Sequence, residues 1–223
     1  MEHKRVTLFA GHYGSGKTNI AVNYAFKLKK DGESVVIADL DIVNPYFRTK
    51  DSKEELDKNG IKLISSEFAN TNVDFPALPQ EMYEVTDNRS EFAVLDIGGD
   101  DRGAYALGRY APSIKEENNY EMLLVINKYR PLTADAGSVA EIMREIELAG
   151  GIAFTGIVNN SNLGEETTAQ TVLNSVEYSS EVSRITGLPV KMTSVQQSLY
   201  DELKDKIDNV FPLKLQHKIT QEV

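Results

Sequence analysis

Short apolar runs rich in β-branched residues alternate along the chain with longer stretches whose apolar positions recur every three or four residues. Runs of the first kind are apolar on both sides of the pleat, as strands covered from two sides must be; the second spacing is that of helices with one buried face. The pattern predicts strands over 6–10, 34–39, 61–65, 92–96, 121–126, 152–158 and 188–192, and helices over 17–30, 53–59, 104–110, 134–149, 165–186 and 198–210. Several helices end on stop signals: Asp31-Gly32, Asn59-Gly60, Gly150-Gly151 and Gly187. Strands alternating with helices predict one doubly wound α/β domain over 1–223, a mostly parallel sheet with helices on both faces. The stretch 67–79, with Pro76 and Pro79, reads as an irregular connection.

Composition narrows the function classes. The absence of cysteine excludes thiol catalysis, Fe–S ligation and cysteine zinc sites. With 24 Lys plus Arg against 34 Asp plus Glu, the net charge of -10 is a poor match to nucleic-acid phosphates or an anionic membrane, so neither partner is expected. The apolar runs are too short for a membrane span, and a cytoplasmic protein is the expectation. His3, His12 and His217 are too scattered to mark a metal site.

The chemistry is concentrated after the first strand. Gly11-His12-Tyr13-Gly14-Ser15-Gly16-Lys17-Thr18 fits G-x-x-x-x-G-K-[ST] between a predicted strand and a predicted helix, the context this phosphate-binding loop requires. Its glycines let the backbone curl around a phosphate, Lys17 reaches the outer phosphates, and the Thr18 hydroxyl is suited to Mg²⁺. Gly11, Gly14, Ser15, Gly16, Lys17, Thr18 and Asn19 are the expected phosphate-side contacts.

Two acidic strand ends follow. Asp96 closes the fourth strand and opens Asp96-Ile97-Gly98-Gly99-Asp100, making it the candidate carboxylate for Mg²⁺. Asp39 and Asp41 in Asp39-Leu40-Asp41-Ile42-Val43-Asn44-Pro45 fall on one side of a pleat, so one can support the metal while the other orients water.

Taken together, these segments resemble the deviant Walker A ATPases of the MinD/ParA type, within the wider class that includes the CobQ/CobB enzymes. The resemblance continues through Asn127-Lys128-Tyr129-Arg130-Pro131 and Gly156-Ile157-Val158-Asn159-Asn160. It implies ATP and Mg²⁺ as cofactors, with Lys17 and Asp41 catalytic, Asp41 placing the water, Thr18, Asp39 and Asp96 supporting the metal, and Asn159 or Asn160 facing the adenine. It also implies a loop over 193–197 closing on the base, and an ATP-dependent homodimer as one arrangement. His12 and Tyr13 stand where that family has a signature lysine and a glycine, so the second positive charge must come from elsewhere, with His12, Arg48 and Arg102 as candidates. Asn127-Lys128-Tyr129-Arg130 has the outline of a guanine-reading motif, but its fourth residue has no acceptor for guanine, which favours ATP.

The leading function is a slow ATPase switching its affinity for a protein partner. A non-hydrolysing ATP-dependent scaffold and a ligase or kinase acting on a small carboxylate are the alternatives. Leu199, Leu203, Ile207 and Val210 lie among Asp201, Glu202, Asp205 and Asp208, which fits a core-packing helix rather than a membrane anchor.

Overall fold

The computed structural model describes residues 3–40, 52–65, 83–99 and 101–215, with 101 and 102 by their backbone alone. Its centre is a sheet built from β1 (Val6–Ala10), β2 (Val35–Leu40), β3 (Lys62–Ser65), β4 (Phe92–Ile97), β5 (Tyr120–Ile126), β6 (Gly156–Asn159), β7 (Val190–Gln196) and β8 (Val210–Leu213). The spatial order is β3-β2-β4-β1-β5-β6-β7-β8. Each neighbouring pair runs parallel. β1 and β2 are buried at every position, which is why their sequences are continuously apolar rather than alternating.

Helices cover both faces. α1 (Lys17–Lys30) and α2 (Lys53–Lys58) lie on one side, where Ile20, Leu28 and Leu56 pack with Phe9, Ile37 and Val125. On the other lie α4 (Asp101–Leu107), α5 (Ala111–Glu117), α6 (Ala136–Gly150) and α8 (Val176–Thr186). Their Leu107, Ile114, Val139 and Val182 pack with Leu8, Leu95 and Leu124. The short helices α3 (Glu84–Asp87), α7 (Ala169–Leu173) and α9 (Tyr200–Leu203) complete the order. Leu8 and Phe9, adjacent in β1, belong to opposite cores, the direct consequence of the two-residue pleat. The ends of α6 obey the local rules: Asp135 accepts the Ser138 N–H at its start, and Gly151 takes a left-handed conformation at its end.

The prediction of a single doubly wound α/β architecture agrees with this sheet, and several segments differ, the strand expected over 152–158 being the four-residue β6. The helix expected over 198–210 is the single turn α9, followed by an eighth strand. Asn209, inside the expected range, has φ 56°, a left-handed conformation that a helix does not continue through, and β8 is an edge strand, where its Pro212 is tolerated. Leu203 and Ile207 are nonetheless buried together, so their apolar spacing reports packing without a continuous helix. The helix expected over 165–186 is broken into α7 and α8, because the Ser175 hydroxyl bonds the Val172 carbonyl and accepts from Asn159. The helix expected over 104–110 is α4, which ends at Leu107, and α5 follows as a further helix. The strand expected over 188–192 continues to Gln196, so most of the expected 193–197 loop is β7. The connection over 67–79 lies outside the described residues.

Candidate functional site

β1 leads through α1 to β2 on one side of the sheet, whereas β5 leads through α6 to β6 on the other. The two strands are neighbours, and their connections leave on opposite faces, so a crevice opens between their carboxyl ends, where open α/β sheets hold their ligands. The loop after β1 is Gly11–Gly16; the loop after β5 carries Asn127 and Arg130. Between them lies a cleft of about 540 Å³, within the range of small-molecule sites, walled by Gly14, Lys17 and Thr18 on one side and Asn160, Asn162 and Ser194 on the other.

The phosphate-loop residues Gly14, Gly16, Lys17, Thr18 and Asn19 line this cleft; Gly11 and Ser15 are buried behind it. Gly16, the residue before α1, has φ 90°, and a Cβ there would lie 2.2 Å from the Asn160 amide nitrogen, so both conformation and space demand glycine. It gives α1 no side-chain cap, and the first turn of α1 carries no acidic residue, which leaves its N–H groups oriented toward an anion. Lys17 is buried, with Nζ donating to the His12 carbonyl at 3.3 Å. His12 itself turns Nδ1 to the Tyr13 carbonyl at 3.0 Å and is not part of the cleft lining, whereas Tyr13 is.

The acidic strand ends are brought together. Asp39 of β2 and Asp96 of β4 are register partners, and Asp96 is also paired with Phe9, two residues before Gly11. Both are buried, Asp96 completely. Gly99, just beyond β4, sits against the phosphate loop so closely that a Cβ would lie 2.6 Å from the Tyr13 nitrogen. Asp41, Asn44, Pro45 and Arg48 lie outside the described residues, as does the side chain of Arg102.

The far wall separates the two candidate asparagines. Asn160 lines the cleft; its Nδ2 donates to the Ser15 carbonyl at 2.6 Å and its Oδ1 accepts from Ser194. Asn159 is fully buried behind it. Its Nδ2 donates to the Ser175 hydroxyl at 2.9 Å, and its Oδ1 accepts from Ser161 at 2.7 Å. Asn159 therefore holds α8 and the loop after β6 in place, and does not border the cleft. Asn127, at the end of β5, accepts the Tyr129 and Asn162 N–H groups, so it ties the loops after β5 and β6 together. Lys128 points to the Asn174 carbonyl at 2.7 Å. Burial raises the Tyr129 pKa, and its hydroxyl donates to the Thr171 carbonyl.

The sequence brings in Arg130 as part of the family-like segment and as an argument against guanine, and points to no role for Asn162, Leu213 or Leu215; all four line the cleft. The segment Asn127–Arg130 is the available signal for the first of these; the leucines have none, because no strand is expected beyond 192.

Residues 6–186 match the family described as the CobQ/CobB/MinD/ParA nucleotide binding domain. The chain belongs to this family. As a CobQ/CobB/MinD/ParA domain it is a P-loop nucleotide-binding protein, in keeping with the loop at the switch point of its sheet. No curated protein matches the chain. Among solved structures, the cell division protein FtsY of Thermotoga maritima is similar, with 21% identity and a TM-score of 0.58 over 85% of this chain and 61% of that one. FtsY of Mycoplasma mycoides gives 17% identity and a TM-score of 0.57 over 87% and 62%. The signal recognition particle receptor FtsY of Elizabethkingia anophelis, in complex with GDP, gives 16% and 0.52 over 87% and 58%. At these identities the likeness is one of fold, and this chain spans about three fifths of each FtsY structure. Among the described residues no helix is long and apolar enough to cross a membrane.

Proposed function

We propose that this P-loop protein binds Mg-ATP, hydrolyses it slowly, and uses the change to switch its affinity for a protein partner in the cytoplasm. The observation carrying this reading is the alignment of three strand ends: the Asp39–Asp96 pair stands beside β1, whose next residues are the phosphate loop. Lys17 and the N–H groups of α1 bind the phosphates. Thr18, Asp39 and Asp96 offer only oxygen donors, and Mg²⁺ favours one or two carboxylates completed by phosphate and water, so the residues fit that ion. When bound, Mg²⁺ supplies charge neutralisation for the phosphates. Asp41 orients the attacking water by its resemblance to the family position. ATP over GTP is supported by the segment Asn127-Lys128-Tyr129-Arg130, which lacks an acidic fourth residue to accept from guanine N1 and N2.

The contact between Gly99 and the backbone of Tyr13 supports the switch, because a change at the phosphate loop is felt directly at the loop after β4. A second reading, a non-hydrolysing scaffold, is favoured by His12, whose ring is turned to Tyr13 rather than into the cleft. Titration with Mg-ATP and Mg-GTP, and phosphate release by wild type and Asp41→Ala, decide between them. Slow release lost in Asp41→Ala supports the switch; equal release by the two proteins overturns it. Sizing of Asp41→Ala with and without ATP tests for an ATP-dependent homodimer.

A further inference from the structure

The cleft has two cationic residues in its lining among the described residues, Lys17 from α1 and Arg130 from the loop after β5, against the single carboxylate of Glu165. Arg130 is held in an unusual way for an exposed arginine. Its Nε donates to the carbonyl of Gly14 at 3.0 Å, a bond spanning the crevice between the loops after β1 and β5. A Cβ on Gly14 would lie 3.5 Å from Nε and 3.8 Å from Cζ, so the guanidinium rests directly over the phosphate loop. The base of the loop that carries it is fixed: Asn127 accepts the Tyr129 N–H, and the Thr133 hydroxyl closes on the Asn127 carbonyl at 2.7 Å.

A guanidinium has five donors in one plane. Spending Nε on Gly14 leaves the two terminal nitrogens, which make no hydrogen bond to the described residues, at the wall of a cleft built for an anion. A lysine ammonium gathers its three donors at one point and lacks the planar fork that holds the two tasks apart. We infer that Arg130 is a nucleotide-binding residue supplied within the same chain: Gly14 orients its guanidinium, and its terminal nitrogens contact the phosphate-bearing part of the nucleotide. It is distinct from the positions His12, Arg48 and Arg102 suggested by sequence. The inference rests on the nucleotide-binding reading and adds the second cation to it.

Calorimetric titration of Mg-ATP into wild type, Arg130→Gln and Arg130→Lys at two salt concentrations tests it, with thermal unfolding of each nucleotide-free protein in parallel. Loss of a charge-assisted contact is expected to weaken binding by Arg130→Gln about tenfold or more and to flatten its salt dependence. Arg130→Lys is expected to recover part of the loss, with nucleotide-free unfolding little changed in either variant. Affinity of Arg130→Gln within about twofold of wild type overturns the inference. So does weaker binding with unaltered salt dependence and a lowered nucleotide-free midpoint, which makes Arg130 only a brace of the loop. Failure of wild type to bind either Mg-ATP or Mg-GTP overturns the nucleotide reading and the inference together.

Discussion

The side-chain amide of Asn160 donates to the carbonyl of Ser15 at 2.6 Å, fastening the end of β6 to the phosphate loop across 145 positions of sequence. The same side chain accepts from Ser194 in the carboxyl half of β7. One buried amide thus joins three strand ends around the cleft, and a carbonyl that has lost such a partner in the interior carries the full desolvation cost. Asn160→Ala is expected to destabilise the protein by about 1–3 kcal/mol and to weaken nucleotide binding as the loop loses its anchor. Urea unfolding and titration of the same variant check both; unchanged affinity would show that the loop is held without this bond.

Gly99→Ala tests the contact between the loop after β4 and the phosphate loop. The added methyl carbon would lie 2.6 Å from the Tyr13 nitrogen and 2.9 Å from the Gly11 carbonyl oxygen, both backbone atoms that can yield only by moving the phosphate loop. Displacement of such a loop by an ångström costs up to about 100-fold in turnover. Phosphate release by the variant, compared with its thermal midpoint, separates loss of geometry from loss of folding.

At the opposite end of the sheet, Arg5 is a structural residue. It is buried, pairs with Glu117, and donates to the carbonyls of Val85 and Glu91 at 3.1 Å. Arg5→Met leaves the Glu117 carboxylate and those carbonyls without their partner, at an expected cost of about 3–5 kcal/mol. Nucleotide affinity of the folded fraction is expected to stay unchanged. A loss of affinity without a loss of stability would contradict this assignment.

The cap of α6 predicts an acid dependence. The Ser138 hydroxyl and N–H hold the Asp135 carboxyl below its usual range. A group with a lowered folded-state pKa binds fewer protons folded than unfolded, so its stabilisation is present above the ordinary carboxylate pKa of about 4 and fades as pH falls through the folded value. Asp135→Asn is expected to show a shallower decline of the unfolding midpoint below that pH than wild type. Identical slopes would remove Asp135 from the cause.

The sheet was legible because its evidence is periodic: Val6–Ala10 and Val35–Leu40 are apolar on both faces, and only a strand buried from two sides requires that. The phosphate loop was legible for a different reason, since its glycines are demanded by backbone geometry within a few residues. What escaped depends on contacts made at long range. Asn159 and Asn160 are identical neighbours in sequence, and only the pleat sends one behind the strand to Ser175 and the other to Ser15. Arg130 and Gly14 are 116 positions apart, and no local spacing announces their bond. The helix expected before β8 came from Leu199, Leu203 and Ile207, whose helical spacing reflects a turn and its flanks packing on one small cluster.

β8 also bears on how the protein comes to function during synthesis. The phosphate loop precedes β8 by almost two hundred residues, yet Leu213 and Leu215 form part of the cleft wall, and Phe211 and Leu213 join the core beneath α1. A growing chain therefore carries its phosphate-binding signature long before the strand that finishes the cleft wall has emerged. Ligand binding then rewards completion of the parallel pairing of β7 with β8 at the sheet's edge, a long-range step that parallel sheets otherwise make slowly.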